Sequence, residues 1–199
     1  MQLEVHVRLA TEADIPALTE LIDASVRGLQ AQDYSQAQID NALKTVFGVD
    51  SQLIADKTYF VAEARRFHGD TVASSEKFAI AGCGGWSKRK KLYGGDAWTA
   101  ARQEFLNPAV DAAKIRAFFI SPAWARLGIG SSLLDACESA AVAAGFRRFE
   151  MGATLTGVKL FRARGYVVMD ELTLPIGGGE TLPVVHMEKR LASRESAEL

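Results

Sequence analysis

The segment Phe118-Phe119-Ile120-Ser121-Pro122-Ala123-Trp124-Ala125-Arg126-Leu127-Gly128-Ile129-Gly130-Ser131-Ser132-Leu133-Leu134 constrains this chain more than any other. A run with the character of a buried strand, Ile115 to Ile120, stops at Ser121-Pro122. It passes through a short loop into a helix that opens on Gly-x-Gly. The first turn of a helix has N–H groups without carbonyl partners, and the helix dipole adds partial positive charge at the same end. Glycines let backbone approach an anion closely and take positive φ. Gly128 and Gly130 thus open a backbone cradle suited to a pyrophosphate, and Arg126 can add a formal charge.

Two common pyrophosphate sites do not match. A dinucleotide-binding fold wants G-x-G-x-x-G after a first strand, with an acidic residue about 20 positions later. Here Leu133 takes the place of the third glycine, and the loop lies deep in the chain. A P-loop needs G-x-x-x-x-G-K-S/T, a string absent from this sequence.

The rest of the chain supplies a frame for this segment. Val5 to Leu9 alternates like a strand. Thr11 stands three residues before Asp14 as a capping-box variant, and Ile15, Leu18, Ile22, Val26 and Leu29 follow with helical spacing, with Gly28 near the end. Ile39, Leu43, Val46 and Phe47 repeat that spacing on a second helix closed by Gly48. Thr58 to Ala64 and Phe78 to Ser87 read as strands. The second is interrupted by Gly82, Gly84 and Gly85, as at a bulge or a close backbone approach. Arg65 to Lys77 suits a hairpin loop, and a short helix fits around Trp98 to Phe105. After the glycine helix, capped by Gly145, come a strand from Phe149 to Ala153 and a short helix from Thr156 to Arg164. Strands Val167 to Leu174 and Leu182 to Met187 then flank a Gly177-Gly178-Gly179 turn. The order β-α-α-β-β-β-α-β-α-β-β describes a mixed α/β domain around one central sheet.

Composition narrows the function classes. The chain has 199 residues, 48% of them hydrophobic, which suits one domain spanning 1–199. With 23 basic and 24 acidic residues the net charge is −1, which implies no general attraction to nucleic acid or to anionic membranes. The basic run Lys88-Arg89-Lys90-Lys91 reads as a solvated loop. Cys83 and Cys137 fall in apolar runs and read as small core residues, without C-x-x-C spacing. His6, His68 and His186 show no ligand spacing, so no metal is expected. The N-terminus has no secretion signal, and no run of about 18 apolar residues could span a membrane, so a cytoplasmic protein is expected.

The glycine segment resembles the acetyl-CoA motif of the GNAT (GCN5-related N-acetyltransferase) family, Q/R-x-x-G-x-G/A after a strand ending in hydrophobic-x-Pro. Arg8-Leu9-Ala10-Thr11-Glu12-Ala13-Asp14 resembles the family's opening strand and first helix. Leu160-Phe161-Arg162-Ala163-Arg164-Gly165-Tyr166 resembles its second motif, F-Y-x-x-x-G-F, and Val184 to Lys189 its final strand. The resemblance spans nearly the whole chain. It implies a mixed, mostly antiparallel central sheet with a splayed strand pair, flanked by helices. It also implies direct acetyl transfer from acetyl-CoA, without a metal, to the amine of a small molecule or amino-acid-like acceptor, in an assembly that leaves room for a homodimer. A non-catalytic acyl-CoA-binding sensor and a peptide or protein N-acetyltransferase are the alternatives.

Carried over residue by residue, the resemblance sets the backbone of Phe118, Phe119 and Ile120 against the pantetheine amides. It puts the pyrophosphate on Arg126, Leu127, Gly128, Ile129, Gly130 and Ser131. The family's usual Gln or Arg is Ala125 here, and its usual Asn is Thr154, which can still hydrogen-bond. Its thiolate-protonating tyrosine is Phe161, which faces the cofactor but is no acid; Tyr166 holds an aromatic core position. Where some members carry a basic Glu or His, this strand offers Lys114 and Arg116. Asp96 and Glu150 are the acidic candidates for the base, beside a water chain. Lys114 and Arg116 share a strand face, and Arg116 could hold an acceptor's carboxylate.

Overall fold

The computed structural model of the chain describes residues 2–67, 77–90, 92, 95–96 and 104–192. His68, most of the expected Arg65–Lys77 hairpin loop and most of the helix expected at Trp98–Phe105 lie outside these residues. In chain order the elements are β1 (Gln2–Leu9), α1 (Ile15–Leu29), α2 (Gln36–Thr45), α3 (Ser51–Ala55), β2 (Tyr59–Phe67), β3 (Ala79–Ser87) and β4 (Ala113–Ile120). There follow α4 (Ile129–Ala143), β5 (Arg148–Thr154), α5 (Val158–Ala163), β6 (Val167–Pro175) and β7 (Thr181–Arg190). The strands form one sheet in the order β1-β2-β3-β4-β5-β7-β6. Every neighbouring pair is antiparallel except β4 with β5.

Strand alternation divides the core between the two sheet faces. Phe149, Met151 and Ala153 of β5 pack with Leu134, Cys137 and Ala141 of α4 and with Phe161 of α5. On the other face Leu182 and Val184 of β7 pack with Leu18 and Ile22 of α1 and Ile39 of α2. Leu18, Ile39, Leu133 and Leu134 are at most 1% exposed, and each such side chain contributes roughly 1.5–3 kcal/mol by burial. Cys83 and Cys137 are buried and free, as the sequence implied. Burial pushes the Cys83 thiol up to about 12.

Gly28 stands near the end of α1, as expected, one residue before its last, Leu29. A Cβ at Gly28 would lie 2.6 Å from Pro122 Cγ, so this glycine lets the loop before α4 lie against α1. Gly48 does not close α2; Val46 and Phe47 N–H both return to Ala42 O, at 2.8 and 2.7 Å. The helix α3 was not expected. Five residues are too few to show a helical repeat, but Asp50 caps it by accepting from Leu53 N at 3.2 Å.

The sheet opens in its middle. β4 and β5 pair only at Ala113↔Phe149 and Lys114↔Glu150. Beyond that point β4 stays with β3 as far as Ile120, and β5 stays with β7 as far as Thr154. A bulge marks the parting. The β3–β4 register shifts between Cys83 and Gly85, and Ala117 takes a left-handed φ of 56°, a strain of roughly 1–2 kcal/mol. The buried Tyr59 hydroxyl donates to the Ala117 carbonyl at 3.2 Å and lies 3.2 Å from Cys83 Sγ, bracing the bulge from below. Gly84 leaves room for the Phe118 ring, which a Cβ there would approach to 2.6 Å.

Candidate functional site

The loop before α4 presents its backbone as a cradle. Gly128 is the N-cap with φ 85° and ψ −6°, and Arg126 is also left-handed at φ 65°. A residue with a Cβ is strained in that conformation, so the loop has to hold Arg126 there. Among the described residues no N–H from Arg126 to Ser131 finds an acceptor; the next one, Ser132 N–H, donates to Gly128 O at 3.0 Å. The two glycines have different tasks. A Cβ at Gly128 would meet nothing within 4 Å, so its open side faces the space an anion would take. A Cβ at Gly130 would lie 2.9 Å from Leu160 Cδ2, so this glycine lets α4 approach α5. Two cations line the same end, the expected Arg126 and the unexpected Lys159, and neither has an ion-pair partner among the described residues. Leu127 is 42% exposed and is not among the residues that line the cavity.

The cradle continues into the gap between β4 and β5 as one cavity of about 780 Å³. Phe118, Phe119 and Ile120 form one wall and Met151 to Thr154 the other, and every cofactor residue expected from the sequence except Leu127 lines this one cavity. Phe161 lines the cavity as well. Its ring packs edge-on against Phe118 at 5.9 Å and against Tyr166 at 5.8 Å. Tyr166 is a buried core residue whose hydroxyl donates to Glu138 at 2.9 Å, and burial raises its pKa. Ser25 of α1 was not foreseen: its Oγ accepts from Ile120 N–H at 3.2 Å, so that backbone donor is already engaged. The signal for it was a serine inside the apolar stripe of α1.

On the α1–α2 face the cavity has a second half, walled by Val46, Phe47, Phe119, Leu174, Leu182 and Val184. Here two expectations are corrected. Arg116 does line the cavity, but its guanidinium donates to Asp50, with side chains only 5% and 2% exposed. Burial pulls the Arg116 pKa down and the Asp50 carboxylate opposes that. Its charge is therefore already answered and is not available to grip an acceptor's carboxylate. Asp96 does not reach the cavity walls. Its carboxylate accepts from Ser51 N and Ser51 Oγ, both at 2.9 Å, and ties the loop after β3 to the start of α3. Glu150 is also engaged elsewhere, by Lys114 and by His186 Nε2 at 3.1 Å.

Glu150, His186 and Glu188 bring potential metal-ligand atoms within 4.8 Å of one another, a grouping the scattered histidines did not suggest. Lys114 on Glu150 and Asp170 on His186 Nδ1, at 3.2 Å, already satisfy two of the three. The α1–α2 loop adds Gln30 and Asp33 to the cavity. Gln30 is 5% exposed and its Oε1 has no hydrogen-bond partner. Asp33 is the single carboxylate among the described lining residues and accepts from Thr156 Oγ1. Tyr34 fixes this loop by donating to Pro183 O at 2.8 Å and accepting from Leu155 N at 2.9 Å.

The strand order, the parted β4–β5 pair and the cradle at its end define a protein of the GNAT fold. Solved structures agree. The chain superposes on a GCN5-related N-acetyltransferase from Rhodopseudomonas palustris with a TM-score of 0.65 at 21% identity, covering 96% of this chain and 99% of that one. It superposes on PaiA N-acetyltransferase from Thermoplasma acidophilum, solved with coenzyme A, with a TM-score of 0.59 at 15% identity, covering 94% and 99%. A phosphinothricin acetyltransferase from Sinorhizobium meliloti, solved with AcCoA, gives 0.59 at 20% identity, covering 94% and 88%. No curated protein matches. Residues 104–191 match the family described as Acetyltransferase (GNAT) domain. The chain thus has the GNAT fold, and its match to this family's model runs over β4, the cradle and the strands that follow.

Proposed function

We propose that this chain is an N-acetyltransferase that moves the acetyl group of acetyl-CoA directly to the amine of a small molecule. The observation that carries the reading is the continuity of one cavity from six backbone N–H groups that have no acceptor among the described residues, through a parted strand pair, to an apolar chamber on the opposite face. The residues fit coenzyme A. The N–H groups of Arg126 to Ser131, with the Arg126 and Lys159 side chains, suit a pyrophosphate without a metal. The open edge of β4 suits an extended pantetheine arm, which would lie there as an added strand. Ser25 would have to release Ile120 N–H, or that amide group would be served through its carbonyl.

When bound, the thioester supplies an electrophilic carbonyl: the amine nitrogen bonds to its carbon, the C–S bond breaks, and sulfur leaves with the electron pair. The chain's own contribution is orientation. Phe118 and Phe161 flank the gap and exclude water, and the left-handed bulge at Ala117 holds the strands apart. Holding two reactants in register lowers a barrier by roughly 7–11 kcal/mol at best. Phe161 cannot return a proton, so the proton shed by nitrogen passes to water or to the departing sulfur. The test is acetyl-CoA turnover with a panel of primary amines, read by thiol release and by mass of the product. An acetylated amine supports the reading. Coenzyme A binding without acetylation of any amine would instead mark an acyl-CoA-binding sensor, the reading that Phe161 favours.

A further inference from the structure

The second half of the cavity differs from its first half in charge. Its walls are aliphatic and aromatic, with Val46 and Leu174 at 7% and 8% exposure and Leu182 and Val184 at 0% and 3%. The guanidinium that reaches it, Arg116, is neutralised by Asp50. Asp33 leaves a single negative charge among the described lining residues, and Gln30 adds a buried carboxamide whose oxygen has no partner. Native structures rarely leave such an oxygen unmatched, so a ligand that brings an N–H donor is the natural complement.

We propose that the acceptor is a primary monoamine on an uncharged apolar body, of the aryl-alkyl or alkyl kind, and that Gln30 is a specificity-determining residue that accepts a hydrogen bond from its nitrogen. This rests on the acetyl-transfer reading above. Three physical arguments select the class. An ammonium is drawn toward Asp33, the single carboxylate among the described lining residues. Among the described lining residues of this half, the one cation, Arg116, is paired with Asp50, and Asp33 repels an acceptor's carboxylate. A polyamine would have to bury a second ammonium among the apolar Phe47, Leu182 and Val184, which offer it no partner. The apolar body, in contrast, gains from every Å² it covers.

The experiment measures kcat/KM with saturating acetyl-CoA for 2-phenylethylamine, spermidine and glutamate, in the wild type and in Gln30→Leu and Gln30→Glu. The expected order places 2-phenylethylamine at least about tenfold above the other two, a gap of about 1.4 kcal/mol. Gln30→Leu should lower its kcat/KM about fivefold, the worth of one hydrogen bond, mainly through KM. Gln30→Glu keeps an acceptor oxygen and should retain or exceed wild-type values, while coenzyme A affinity stays constant in both variants. A preference for glutamate or spermidine would overturn this inference and leave acetyl transfer standing. Equal effects of Gln30→Leu and Gln30→Glu would remove Gln30 from the account. Acetylation of no amine at all would overturn this inference together with the transferase reading.

Discussion

Gly84→Ala isolates the architecture of the parted strands from the chemistry they serve. Its new Cβ would stand 2.6, 2.7 and 2.8 Å from three atoms of the Phe118 ring. Carbon atoms rest about 3.5–4.0 Å apart, so the ring must retreat by about 1 Å. It can move only toward the cavity it lines, where Phe161 already lies edge-on at 5.9 Å. Overpacking of this kind costs about 1–3 kcal/mol, which for a chain of this size is a Tm fall of about 2–12 °C. The same movement narrows the gap meant for the pantetheine arm, so coenzyme A affinity should fall about tenfold or more. Calorimetric titration beside a thermal melt measures both. The double variant Gly84→Ala with Phe118→Leu should recover affinity, because the smaller side chain removes the clash; that coupling would appear in a double-mutant cycle. A folded Gly84→Ala protein with wild-type affinity for coenzyme A would refute the reasoning.

Phe161→Tyr should fold normally and keep or raise turnover, since the new hydroxyl would enter the cavity as a proton donor; steady-state kinetics against pH would register it. Asp96→Ala should lose the two bonds to Ser51 and about 1 kcal/mol of stability while keeping kcat, which an essential base could not do. Asp14 accepts from both Arg8 terminal nitrogens, at 2.9 and 2.8 Å, and from Thr11 N at 2.7 Å, and Arg8 holds its pKa well below the usual carboxylate range. The unfolded chain then binds the proton more readily, so this stabilisation is complete above the ordinary carboxylate pKa and is lost as pH falls below it. Melts of the wild type and Asp14→Asn from pH 7 to pH 3 should converge on acidification; a constant gap would contradict the sign.

Much of the fold was legible because it follows from local chemistry. Thr11 and Asp14 cap as their spacing implied, and Gly177, Gly178 and Gly179 all take positive φ in the turn they were expected to form. The glycines of β3 marked a bulge and a close approach, and the structure has both, at Cys83/Gly85 and at Phe118. The cradle was legible for the same reason, since a strand, a loop and a helix start are contiguous. The chemistry of the second half was not. Arg116 and Asp50 are 66 positions apart, and nothing local links them. Asp96 stands in a turn and looks free until Ser51 is brought to it by folding. Gln30 and Asp33 lie where α1 gives way to a loop, and only the docking of Tyr34 on Pro183 and Leu155 turns that loop toward the gap.

The central claim is that the open side of Gly128 is the seat of a pyrophosphate. Isothermal titration of coenzyme A into the wild type and into Gly128→Val tests it most directly, with circular dichroism to verify the fold. A valine at φ 85° is strained, at roughly 1–2 kcal/mol, but a Cβ there meets nothing within 4 Å, so the chain should still fold. The account predicts clear binding by the wild type and a loss of about tenfold or more in the variant. Equal affinity in a folded Gly128→Val protein, or no binding of coenzyme A by the wild type, would contradict it.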